Sequence, residues 1–291
     1  MPSVLKPFDP WKNPLCTCPL KMSLNPYTGC PHGCLYCYAI SYIPRFSSCR
    51  PKADLLRRLG RDRLEPGCLV SLSNSSDPYP PVERDLKLTR GCLEILREKD
   101  ARIQVVTKSD IVCRDADILG QMPSVVSITL TTLDESLSRR LEPGAPLPKR
   151  RLFAMEALRS KGVPVAVRMD PIIPFINAQE IGELVDAACS AGALHVTTST
   201  YKARPDSLRR IYLEFPDQAG ALKSLFSQGK RMGGSLYLPG EVRRRTMEAV
   251  AGACRKADVT FSACREGMQG MLGAIPCDGS HLAVILQRGP V

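Results

Sequence analysis

From Cys68 to Thr200 the chain alternates short apolar runs with amphipathic stretches, and this order limits the fold more than any other feature. Leu69–Leu72, Ile103–Thr107, Val125–Leu130, Pro164–Arg168 and His195–Thr198 are rich in Val, Ile, Leu and Thr, as buried strands are. Between them lie stretches of helical character: Glu83–Glu98, Asp115–Gln121, Leu147–Lys161, Ala178–Ser190 and one beginning near Pro205. In the first, Leu86, Cys92, Leu93 and Leu96 share one side. Lys21–Leu24 adds an earlier strand, making six. Buried strands separated by helices pair in parallel through right-handed crossovers, so the expected fold is α/β, an open, partial (βα)6 barrel.

At 291 residues the chain has the length of one such barrel, and 44% hydrophobic residues supply its core. It contains no run of eighteen apolar residues, so no membrane span is expected. A net charge of +11 points to an anionic partner, nucleic acid being the commonest, although 5% aromatic residues make a broad base-stacking surface unexpected. A basic composition alone is the competing explanation. The start, MPSVLKPFDPW, lacks the apolar segment of a secretory signal, and thirteen cysteines is an odd number. Dispersed thiols of this kind suit a reducing cytoplasm rather than a disulfide framework.

The segment Cys30-Pro31-His32-Gly33-Cys34-Leu35-Tyr36-Cys37 places three thiols in one short loop. Cysteine thiolates are the usual ligands of iron–sulfur clusters, and a cubane that only carries electrons has every iron tied to a cysteine. Three cysteines leave one iron open, as a catalytic zinc leaves one position open. Gly33 gives the loop backbone freedom to wrap. A zinc site with His32 as fourth ligand is the alternative, but structural zinc sites draw their ligands from two separated pairs.

Cys-x3-Cys-x2-Cys with an aromatic before the last cysteine resembles the cluster motif of the radical S-adenosylmethionine (radical SAM) superfamily. The longer stretch from Asn25 through Ala39 is similar to the branch that contains spore photoproduct lyase. The resemblance implies a TIM-like partial barrel in which Cys30, Cys34 and Cys37 hold a [4Fe-4S] cluster, with SAM chelated at the fourth iron and Tyr36 near its adenine. It also implies a reaction: an electron donor such as a flavodoxin or ferredoxin reduces the cluster, and SAM is cleaved to methionine and a 5'-deoxyadenosyl radical. That radical then abstracts hydrogen from a substrate. On charge and resemblance the first expectation for the substrate is a nucleic-acid base, in lyase-like repair or modification. A peptide or small molecule is the alternative substrate, and a non-catalytic metal-binding, nucleic-acid-binding protein is the alternative class.

Barrel chemistry sits at the C-terminal ends of strands. After the second strand stand Ser75, Ser76 and Asp77, where many radical SAM proteins carry a Gly-Gly-Glu segment that binds the methionine ammonium. Three residues before Asp77, where the lyases carry a hydrogen-donating cysteine, this chain has Asn74. Lys108 follows the third strand, with Ser127 and Thr129 on the fourth. By resemblance Lys108 and Ser127 contact SAM, while alternating hydroxyls such as Thr129 suit ribose or carboxylate oxygens. Arg168, in an apolar run, calls for an anionic partner: the SAM carboxylate, the substrate or Asp170. Tyr201 at the last strand end and Cys264 further on are the candidate catalytic hydrogen donors.

Residues 1–21, with Trp11, Cys16 and Cys18, are expected as an irregular lead-in, 22–215 as the barrel and 216–291 as a helical extension packed on it. In the extension, 217–229 and 241–256 are helical in pattern, 259–261 reads as a last strand and 273–291 as an extended tail. Cys254, Cys264 and Cys277 could join Cys16 and Cys18 in a second cluster. Their spacings are long and form no compact motif, so buried structural thiols are the expectation.

Overall fold

The strands expected from the apolar runs pair side by side in sequence order. The computed structural model describes residues 3–8, 14–268 and 276–284; Trp11 and the tail apart from 276–284 lie outside them. One sheet runs β1 (Lys6–Pro7), β2 (Met22–Leu24), β3 (Leu69–Leu72), β4 (Arg102–Thr107), β5 (Ser124–Thr129), β6 (Val165–Ile172), β7 (Ala193–Thr200) and β8 (Thr260–Ala263). Strand β1 is antiparallel to β2, and every other pair is parallel. Winding in one direction with helical crossovers gives the partial TIM-like barrel.

The sheet has one more parallel strand than the six expected. Thr260–Ala263 pairs with β7 in the register Thr260↔His195 through Ala263↔Thr198. It therefore joins the sheet, in agreement with the last strand read at 259–261 within the C-terminal extension. Only Phe261 and Ala263 of its four residues are apolar, and Thr260 is exposed. The helix Gly240–Lys256 leads into it and buries Met247, Val250, Ala251 and Cys254.

Other departures have local causes. Residues 83–98 form two helices, Glu83–Leu86 and Leu88–Glu98, broken at Lys87, whose φ of 49° is left-handed. Residues 55–61, with Arg57, Arg58 and Arg61, form the helix Leu55–Arg61, whose Leu55 and Leu59 are buried in the main core. Residues 276–284 dock against the sheet instead of trailing away. Gln104 Nε2 donates to the Asp278 carbonyl (2.6 Å), Arg102 Nε to that of Ala283 (2.8 Å) and Thr197 Oγ1 to that of Cys277 (2.9 Å).

A second, smaller core lies beneath the cysteine loop. Leu141, Ile173, Tyr201, Ile211, Phe215 and Phe226 form it, and Leu35 and Tyr36 pack onto it. The helices that supply it are Glu135–Leu141, Pro205–Glu214 and Pro216–Ser227. Among the described residues no helix is long and apolar enough to cross a membrane.

Candidate active site

The cysteine loop follows β2 and is held from three sides. Cys30 N–H donates to the Phe46 carbonyl (2.7 Å), Leu35 N–H to that of Leu141 (2.9 Å), and Gly144 N–H to that of His32 (2.8 Å). Arg210 clamps the loop's end, donating to the carbonyls of Leu35 (2.9 Å) and Cys37 (3.1 Å). Two glycines make the approach possible. Gly29, at φ +85°, would place a Cβ 2.3 Å from the Ser48 carbonyl oxygen, and Gly144 would place one 2.3 Å from that of Pro31.

The loop opens onto a cavity of about 990 Å³. Cys30, Cys34 and Cys37 all line it, together with Tyr36, Ser75, Ser76, Asp77, Lys108, Thr129, Arg168, Tyr201 and Cys264. Of the residues expected to bind cofactor or donate hydrogen, Ser127 is the exception. It lies two residues before Thr129, on the same strand face and one pleat deeper; it is buried and its Oγ has no partner among the described residues.

Within that lining several side chains are committed to holding the wall. Asp77 accepts hydrogen bonds from Thr107 Oγ1 (2.7 Å), Lys108 N–H (2.8 Å) and Tyr79 N–H (2.9 Å). Its carboxylate thus fixes the end of β4. Arg168 pairs with Asp170 at 2.8 Å, and Ser199 Oγ donates to the same carboxylate at 2.6 Å. The Tyr201 hydroxyl meets Ser207 Oγ at 2.6 Å. Asn74 does lie beside the loop, since its carbonyl accepts the hydroxyl of Tyr38, next to Cys37.

Two buried carboxylates organise the site and escaped the sequence reading. Glu142 accepts the Tyr36 hydroxyl and Thr131 Oγ1 (2.9 Å), forms an ion pair with buried Arg151 and lies 3.8 Å from Lys108 Nζ. Lys108 Nζ in turn sits 5.6 Å from the centre of the Tyr36 ring. Burial alone would raise the Glu142 pKa, but Arg151 and Lys108 hold it at about 2. Glu266 accepts Thr200 N–H (2.8 Å) and pairs with Lys202 (2.7 Å) and Arg243 (3.1 Å). One signal for Glu142 was available: it closes the helix Glu135–Leu141, where an acid opposes the helix dipole and needs a compensating cation.

The residues fit an iron–sulfur cluster with SAM beside it. Three thiols form a soft donor set suited to iron. Burial raises the pKa of the Cys30 thiol to about 12 and that of Cys34 upward as well, a cost that a cationic metal removes. Ser73 and Ser76, both in the lining, have buried Oγ atoms without partners among the described residues, as a wall awaiting a polar ligand does. Among the described residues no three His, Cys, Asp or Glu side chains gather as ligands of a single ion. Cluster thiolates bind different irons and do not converge on one point.

A family model described as the Radical SAM superfamily matches residues 24–188, more than half the chain, and the chain belongs to that superfamily. It is a radical SAM enzyme, and its family implies an iron–sulfur cluster and SAM. An uncharacterized protein of Methanocaldococcus jannaschii is 32% identical over 186 residues, covering 61% of this chain and 70% of that protein. The radical SAM Nα-GlyT isomerase of Pseudomonas phage M6 is 21% identical over 264 residues, 86% of this chain and 54% of that protein. Among solved structures, a spore photoproduct lyase variant with bound AdoMet and dinucleoside spore photoproduct matches with a TM-score of 0.67 at 17% identity. It covers 83% of this chain and 75% of its own. Streptococcus suis SuiB bound to precursor peptide SuiA matches with a TM-score of 0.56 at 16% identity, covering 87% and 50%.

Proposed function

We propose that this radical SAM enzyme carries a [4Fe-4S] cluster on Cys30, Cys34 and Cys37 and acts on a nucleic-acid base, drawing its electron from a carrier such as a flavodoxin or ferredoxin. When bound, cluster and SAM supply a 5'-deoxyadenosyl radical. The chain's residues would do the rest. Tyr36, braced by Glu142 and Lys108, forms a rigid wall beside the thiols, and the orphaned hydroxyls of Ser73 and Ser76 offer hydrogen bonds to a polar ligand.

The observation that carries the substrate class is a stack at the cavity wall. The Tyr38 and Tyr42 rings lie 6.1 Å apart and 22° from parallel, and the Arg204 guanidinium sits 5.7 Å from the centre of the Tyr42 ring. All three residues line the cavity, and the stack begins next to Cys37. Aromatic faces capped by a cation are what a base and its phosphate bind. The net charge of +11 and the dinucleoside held by the structurally similar lyase support the same reading.

The test has two parts. The protein, reconstituted anaerobically with iron and sulfide, reduced and given SAM, should form 5'-deoxyadenosine, whereas Cys34→Ala should form none. Fluorescence anisotropy then reads the binding of a labelled single-stranded oligonucleotide. Removing one stacking partner costs roughly 1–3 kcal/mol, so Tyr42→Ala should weaken binding about 5- to 150-fold. Unchanged affinity in that variant refutes the base reading and favours a peptide or small molecule.

A further inference from the structure

Four cysteines that are far apart in sequence meet in the wall of the same cavity. Cys16 and Cys18 come from the lead-in, Cys264 follows β8 directly, and Cys277 lies in the docked segment 276–284. Cys18 Sγ and Cys277 Sγ are 3.9 Å apart. Cys16 lies within side-chain reach of Cys18, and Cys264 within side-chain reach of Cys277. All four line the cavity, and all are free thiols. The fifth cysteine considered with them, Cys254, lies apart, buried on its helix in the main core.

The surroundings hold this group together by specific bonds. Cys264 N–H donates to the Thr198 carbonyl (2.7 Å), and the Cys277 carbonyl accepts from Thr197 Oγ1 (2.9 Å), so neighbouring residues of β7 position both. The lead-in is tied to the docked segment by a buried ion pair between Lys21 and Asp278. Arg168 and Arg265 lie within electrostatic reach of Cys264, and Lys21 within reach of Cys18. Cationic surroundings offset the negative charge that four thiolates bring to a metal centre.

We propose that Cys16, Cys18, Cys264 and Cys277 bind a second iron–sulfur cluster in the wall of the cavity that the cysteine loop opens onto. Two considerations favour this over the alternatives. The four thiols follow one another from Cys16 to Cys18, across the 3.9 Å approach to Cys277, and on to Cys264, which suits a polynuclear centre with thiolates on different irons better than one tetrahedral zinc. A disulfide between Cys18 and Cys277 would use two thiols and leave Cys16 and Cys264 without a role.

The test measures metal and does not depend on turnover. The full chain and a variant combining Cys30→Ala, Cys34→Ala and Cys37→Ala are reconstituted anaerobically, and iron and acid-labile sulfide are counted per folded chain. With two clusters of equal size the variant should retain about half the wild-type iron and sulfide and show a cluster signal by electron paramagnetic resonance after reduction. A second variant, Cys16→Ser, should lose iron while keeping the signal of the loop cluster. The proposal is overturned if the triple variant binds no iron and sulfide, or binds zinc alone. It is equally overturned if the iron-free wild type is lighter by two hydrogens that a reductant restores. Loss of the second centre alone leaves the loop's iron in place, so its failure is distinguishable from failure of the proposed function.

Discussion

Replacing Glu142 by Gln keeps the shape of the side chain and removes a buried charge that three groups depend on. Arg151, 1% exposed, loses its ion-pair partner, Lys108 loses its nearest carboxylate, and the Tyr36 hydroxyl loses a charged acceptor. Breaking a buried pair by removing one partner costs about 3–5 kcal/mol. The depressed acidity of Glu142 points the same way. The Glu142 pKa falls from 4.5 to about 2 on folding, which corresponds to a stabilisation of a few kcal/mol. For 291 residues the unfolding entropy is about 0.6 kcal/mol per kelvin, so the variant should melt about 5–8 °C lower at pH 7.5. The gap should depend on pH with a definite sign. A depressed carboxylate pKa stabilises the fold fully above the unfolded value of 4.5, and that stability is lost as pH falls toward 2. Circular dichroism melts of wild type and variant between pH 7.5 and pH 3 should therefore draw together toward the acid end. Melting points within 1 °C of each other at pH 7.5 would refute the network as described.

Gly144→Ala should destabilise the cysteine loop from outside it, because the new Cβ would need the Pro31 carbonyl to move away from 2.3 Å. The expected cost is about 1–3 kcal/mol, with faster iron loss to a chelator; unchanged retention and melting would contradict the packing. His195, buried against Thr260 Oγ1 at 2.8 Å, has its pKa lowered to about 4 by burial and by His281. Between pH 6.5 and about 4 the unfolded chain binds a proton that the folded one does not, so stability should fall through that window. His195→Gln should flatten that slope, and an unchanged slope would assign the acid loss to other groups.

Much of the barrel was legible because its signals are local. Each parallel strand through β7 shows as an apolar run, and the cysteine loop carries its spacing in eight consecutive residues. Strand β8 was harder to read, since Thr260 is exposed and the run is short. The commitments of Asp77 and Arg168 to Lys108 and Asp170 could not be separated from ligand roles by residue type. Glu142 and Glu266 were missed because a buried acid is identified by the cations that surround it. Those cations arrive from Lys108 and Arg151 in one case and from Lys202 and Arg243 in the other. The gathering of four wall thiols entered the sequence reading only as the less expected alternative, because spacing along the chain says little about contacts between segments that meet only through the finished sheet.

That long reach orders the assembly of the cavity. Closing a loop costs about (3/2)RT ln n plus a constant, so bringing Cys18 to Cys277, 259 positions away, costs about 5 kcal/mol in the length-dependent part. The seven steps from Cys30 to Cys37 cost about 1.7 kcal/mol on the same scale. The cysteine loop can therefore close before the wall does, as soon as residues 141–144 and Arg210 are in place to hold it. The wall that joins residues 16–21 to 277–278 must wait for β2 through β8 to pair. During synthesis on the ribosome, the first site can form before the last strands have emerged, and the cavity around it becomes complete only when the segment carrying Cys277 docks.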